Sequence, residues 1–133
     1  MLALSTDTSL EGTHFRRDWL TSEEIGWRAA ASALSDLAAE GAEVIGLLAA
    51  LTLPGDVTDA MVTAMMSGIG ACVSEVGGKV LGGDLTRGTS LSLTVTVVGR
   101  APRAVTRRGA GAGDGIWVTG TLGSARAALA AWD

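Results

Sequence analysis

The chain has 133 residues, 47% of them hydrophobic, and ten basic against fourteen acidic side chains give it a formal net charge of −4. That is enough apolar material for one core, and the positive charge is too sparse and dispersed for a sequence-independent grip on nucleic acid. The single cysteine, Cys72, excludes an intrachain disulfide and a thiolate zinc cluster, is expected to be buried, and fits a reducing, cytoplasmic setting.

In chain order, LALST at the start reads as a short strand and residues 11–20 as a loop. Thr21 and Glu24 stand at capping-box spacing, and Trp27, Ala30, Ala31, Leu34, Leu37 and Ala38 recur at helical intervals, so a helix is predicted over 22–39 with Gly41 as its stop. EVIGLLAALTLP has the continuous apolar centre of a buried strand, ended by Pro54 and Gly55. Its apolar run is far too short to span a membrane, and the N-terminus lacks the basic start and apolar region of a signal peptide, so a soluble protein is expected.

Thr58 can cap a second helix with Met61, Val62, Met65, Ile69 and Val73 on one stripe, which makes the methionines core rather than a cofactor box. KVLGG reads as a short strand stopping at Asp84, and SLSLTVTVV alternates apolar and hydroxyl side chains with the period of a strand. A loop from Arg100 leads through RRGAGAGDG to IWVTG, read as a strand, and SARAALAAW, read as the start of a helix. The four tryptophans are dispersed and are not expected to form a stacking platform. Together these predict an α+β fold with a mixed sheet and helices on one face. The last strand and helix have nothing to pair with, so a chain broken off after residue 133 is expected.

Asp7, Asp36 and Asp84 each fall at or near the end of a predicted element. With Ser5, Thr6 and Thr8 they offer the hard oxygens that magnesium prefers, although a lone aspartate there caps or solvates a turn equally well. His14 has no companion histidine or cysteine at metal spacing, which leaves packing, a substrate hydrogen bond or acid–base work. Gly82–Gly83 before Asp84, and Thr86–Arg87 after it, can admit phosphate oxygens or simply form a turn. Neither G-x-x-x-x-G-K-[ST], G-x-G-x-x-G nor G-x-S-x-G occurs.

Read together, STDTSLEGTHF, GWRAAASALSDLAAEGAE, LTLP, VLGGDLTRG and VTRRGAGAGDGIWVTGTLGSA resemble the thiamine-monophosphate kinase family, within the aminoimidazole-ribonucleotide-synthetase-like superfamily. The resemblance implies transfer of the ATP γ-phosphate directly onto thiamine monophosphate, giving thiamine diphosphate, with magnesium as cofactor. It implies Ser5, Thr6, Asp7, Asp36 and Asp84 as metal ligands, His14 as a substrate contact, and Gly83, Asp84 and Arg107 as ATP-binding positions, with Arg87 a weaker candidate. It assigns residues 1–113 to an N-terminal ATP- and metal-binding dimerisation domain and 114–133 to the start of a C-terminal one.

A barrel-like homodimer is implied as well, expected to bury the apolar face of SLSLTVTVV. Leu85, Glu40 and Ala112 depart from the family pattern without removing a proposed ligand. Two alternatives are another superfamily member, such as a selenophosphate- or aminoimidazole-ribonucleotide-synthetase relative, and a catalytically silent dimerisation or nucleotide-binding module.

Overall fold

Thr21 begins the first helix as its spacing predicts: its Oγ1 accepts from the Glu24 N–H at 3.2 Å, and Glu24 Oε2 accepts from the Thr21 N–H at 2.8 Å. In the computed structural model, which describes residues 1–132, the order is β1 (Leu2–Leu10), α1 (Ser22–Ala39), β2 (Glu43–Leu53), α2 (Asp59–Glu75), β3 (Lys79–Arg87), β4 (Ser92–Arg100) and α3 (Ser124–Trp132). Gly41, at φ +64, turns the chain out of α1, and the Thr58 hydroxyl accepts from the Met61 N–H to start α2.

The four strands form one mixed sheet in the order β1-β4-β2-β3, with β4 antiparallel to both neighbours and β2 parallel to β3. Helices α1 and α2 cover one face. Leu93, Val95 and Val97 of β4 and Leu47 and Leu51 of β2 meet Ile25 and Leu37 of α1 and Met65, Ile69 and Val73 of α2, all almost wholly excluded from water. The two helices touch backbone to backbone: a Cβ added at Gly26 would lie 1.9 Å from the Met65 carbonyl oxygen, and one at Gly68 would lie 2.0 Å from that of Glu23. Met61 and Met66 pack at the rim of this core, and Cys72 is buried within it. Burial first, and the charge of Glu75 second, pushes the Cys72 thiol up, which keeps it an inert apolar filler.

Five expectations are corrected. Strand β1 continues to Leu10, because Ser5, Asp7 and Ser9 pair in register with β4, so Asp7 is mid-strand. Strand β3 likewise runs past Asp84 to Arg87 beside β2. Residues 116–120 form no strand, since no neighbour offers them a ladder. Trp27 is 42% exposed and Ala38 is exposed too, whereas Ala30, Leu34 and Leu37 are buried as their spacing predicts, joined by Ile25, Ala29 and Ala33. The apolar face of β4 is already buried beneath the helical layer, where α1 packs on it, so it is not what a second subunit could cover. The opposite face carries Thr6 and Thr8 of β1 paired with Thr96 and Thr94 of β4, with exposed Leu2, Leu4 and Leu48 around them.

Candidate functional site

Along β1 the side chains of Ser5 and Asp7 point to the helix-covered face, because their spacing of two puts them on one side of the strand. One helical turn separates Ser32 from Asp36, which brings both onto the side of α1 that faces β1. The two pairs interlock. The Ser5 hydroxyl donates to Asp36 Oδ2, and the Ser32 hydroxyl donates to Asp7 Oδ2 at 2.5 Å. Each carboxylate thus receives a hydroxyl from the other element, and each keeps its second oxygen free of these bonds. Ser32 escaped the sequence reading; its position four residues before Asp36 was the available signal.

The remaining proposed ligands lie elsewhere. Thr6, next along β1, points to the opposite face, where its hydroxyl meets Thr96 Oγ1 at 2.9 Å. Asp84 pairs in register with Ala50, between the inward-facing Ala49 and Leu51, so it too belongs to the open face. Strands β1 and β3 are opposite edges of the sheet, about 14 Å apart at the usual inter-strand spacing. Among the described residues, no three His, Cys, Asp or Glu side chains come close enough to share one metal ion. The structure therefore joins Ser5, Asp7 and Asp36 and leaves Thr6 and Asp84 apart from them.

Gly83 is pressed against β2, where an added Cβ would fall 1.8 Å from the Ala49 carbonyl oxygen, so strand packing alone demands glycine there. Arg107 lies exposed in the irregular stretch between β4 and α3, outside the sheet, and Arg87 ends β3.

His14 sits in the loop after β1. The Gly12 N–H donates to the Phe15 carbonyl, the His14 N–H donates to the Leu10 carbonyl, and Phe15 is buried in the core as the loop's anchor. The imidazole lines a cavity of about 540 Å³ together with Arg16, Trp19, Arg28 and, from α3, Leu129 and Trp132. Trp19 and Trp132 approach with ring centroids 5.8 Å apart, so two of the supposedly dispersed tryptophans do meet; tertiary packing of α3 brings them together across 113 positions. The Arg16 guanidinium stacks 4.6 Å from the centre of Trp19 and bonds Asp18, whose carboxyl it holds below the usual range. Among the described residues no helix is long and apolar enough to cross a membrane.

The model of "AIR synthase related protein, N-terminal domain" matches residues 1–101. The chain belongs to this family. Within the AIR synthase related proteins, the chain is 44% identical over 97% of its length to a thiamine-monophosphate kinase of Escherichia coli K12. It is 39% identical over 96% of its length to a thiamine-monophosphate kinase of Synechococcus elongatus. A solved structure of AaThiL complexed with AMPPCP and TMP superimposes with a TM-score of 0.92 at 34% identity, covering 98% of this chain and 42% of that one. The chain spans about 40% of the length of the curated relatives it matches. The α+β architecture read from the sequence is thus that of an AIR synthase related N-terminal domain.

Proposed function

We propose that residues 1–133 supply part of an enzyme that phosphorylates thiamine monophosphate with ATP, giving thiamine diphosphate by direct phosphoryl transfer. The observation that carries this reading is the 44% identity to a thiamine-monophosphate kinase across almost the whole chain. It is reinforced by the likeness to a structure holding an ATP analogue and TMP. Bringing two phosphorylated anions together demands charge neutralisation and positioning rather than a nucleophilic side chain, and the one cysteine, Cys72, is buried.

The interlocked Ser5, Asp7, Ser32 and Asp36 present hard oxygen donors and two carboxylates, the chemistry magnesium takes when phosphates complete its shell. Asp7 and Asp36 would hold the ion with Ser5, and a bound divalent cation there would offset the negative charge of the reacting phosphates. Thr6, Asp84, Gly83 and Arg107 enter the reading as contributors from the open face, the β3 edge and the segment after β4. His14 is read as a contact for thiamine monophosphate. Residues 1–113 are read as the metal- and ATP-binding dimerisation domain, and 114–133 as the beginning of the next. A homodimer would cover the open sheet face, whose exposed Leu2, Leu4 and Leu48 support it. The lone thiol of Cys72 supports a cytoplasmic location.

The test is a coupled assay. A protein extended to the length of its relatives, with residues 1–133 unchanged, is expected to form thiamine diphosphate from thiamine monophosphate, ATP and magnesium. A folded, extended protein that makes none, while turning over a different phosphate acceptor from the superfamily, would overturn the assignment. His14→Ala is expected to raise the apparent KM for thiamine monophosphate several-fold with little change for ATP. Equal changes for both would contradict the substrate contact.

A further inference from the structure

Glu11, Arg17 and Asp56 form a charged clamp that the proposed chemistry does not use. Arg17 Nε donates to Glu11 Oε1 at 2.5 Å and Arg17 Nη1 donates to Asp56 Oδ2 at 2.9 Å. Glu11 belongs to the His14 loop, whereas Asp56 belongs to the connection between β2 and α2, so one guanidinium ties two separate loops together. The side chains of Arg17 and Glu11 are only 27% and 24% exposed, which shields their pair from salt better than an ordinary surface bridge. Glu11 first, and Asp56 second, hold the Arg17 guanidinium more firmly charged than usual.

The same turn engages one ring nitrogen of the histidine. The Leu10 N–H donates to His14 Nδ1 at 3.1 Å, and a backbone amide can only donate. With Nδ1 accepting that bond, the ring hydrogen is assigned to Nε2. Since His14 lines the cavity and Nδ1 is committed to the backbone, Nε2–H is the group left for a ligand.

We infer that Arg17 is a positioning residue, which, through Glu11 and Asp56, fixes the Leu10–Phe15 turn so that His14 is presented to the cavity as an Nε2–H donor. Such a donor recognises an oxygen acceptor, such as a phosphate oxygen. The functional part of this inference rests on His14 touching the phosphorylated substrate; the tautomer and the clamp do not.

His14 is the chain's only histidine, so its ring nitrogens can be read by nitrogen NMR without assignment ambiguity. At neutral pH the unaltered chain is expected to show one protonated nitrogen, Nε2, and one acceptor nitrogen, Nδ1. Arg17→Ala should mix the tautomers and speed hydrogen exchange of the Leu10 amide roughly five-fold or more. Arg17→Lys should restore part of the effect, and Asp56→Asn, which spares the Glu11 pair, should give a smaller change in the same direction. An Nδ1–H signature in the unaltered chain would overturn the tautomer. Unchanged ring signals and Leu10 exchange in both Arg17→Ala and Asp56→Asn would overturn the clamp.

In the kinase assay, Arg17→Ala should raise KM for thiamine monophosphate more than for ATP, and equal rises would refute the positioning role. Should the extended protein prove not to be a thiamine-monophosphate kinase, the NMR result still decides the clamp.

Discussion

On the helix-covered face of the sheet, Leu93, Val95 and Val97 of β4 are wholly excluded from solvent. On the other face of the same strand, Thr94 and Thr96 bond Thr8 and Thr6 and remain partly exposed. The carboxylates divide along the same line: Asp7 is satisfied by a helix hydroxyl on the covered face, and Asp84 stands on the open face of a strand exposed throughout its length. A single chain builds the covered half of the candidate site by itself. Ser5, Asp7, Ser32 and Asp36 are preorganised by packing that already holds the core together. Asp84 has no such support, so under the proposed function its environment must come from whatever binds or covers that face.

The covered face should break first. Gly26→Ala forces a methyl group onto the Met65 carbonyl and should cost about 3 kcal/mol in denaturant unfolding; a loss below about 1 kcal/mol would mean the helices can slide apart without harm. Next come Asp7→Asn and Asp84→Asn in the extended enzyme, each expected to lower turnover on the order of a hundred-fold at limiting magnesium while oligomeric state is unchanged. An effect for Asp7 alone would confine the site to the covered face.

Leu48→Asp, on the open face, should alter stability of the single chain by no more than about 0.5 kcal/mol yet abolish the proposed dimer in sedimentation. Retention of a dimer would show that subunits meet elsewhere.

The smallest effect concerns the Thr21–Glu24 box, where the backbone N–H first and the hydroxyl of Thr21 second hold the Glu24 carboxyl below its usual value. Its contribution is complete above the unfolded-chain value of about 4.3 and fades as pH falls through the lower folded one. Glu24→Gln should flatten that part of the thermal-stability profile, since a neutral amide can complete the box without titrating.

What was legible in the sequence was local. The capping box of α1, the alternation of β4 and the glycine after α1 each declare themselves within a few residues, because the physics that sets them is short-ranged. Strand β1 was read too short because its inward positions include Ser5, Asp7 and Ser9, and Ser5 and Asp7 meet a carboxylate and a hydroxyl on α1 instead of an oily core. Strand β3 shows no alternation because it is an exposed edge. IWVTG has the composition of a strand and lacks the neighbour that would make it one. Of the candidate site, the residue types were readable and their grouping was not. Which face a carboxylate occupies depends on register across strands distant in sequence, and the Arg17 clamp and the Trp19–Trp132 contact depend on loops meeting in space.

The strand order has a consequence for how the chain acquires this site. Among the described residues, strand β1 finds its lateral partner only in β4, with Leu2 opposite Arg100. A ribosome must therefore deliver some ninety further residues before the first strand can be stitched into the sheet, and closing so long a loop is slow. Helices α1 and α2 can already be in contact by then, but the strand bearing Ser5 and Asp7 waits for the last one. The candidate metal ligands are thus assembled late, and a substitution that weakens β4 should disable them before it melts the helical layer.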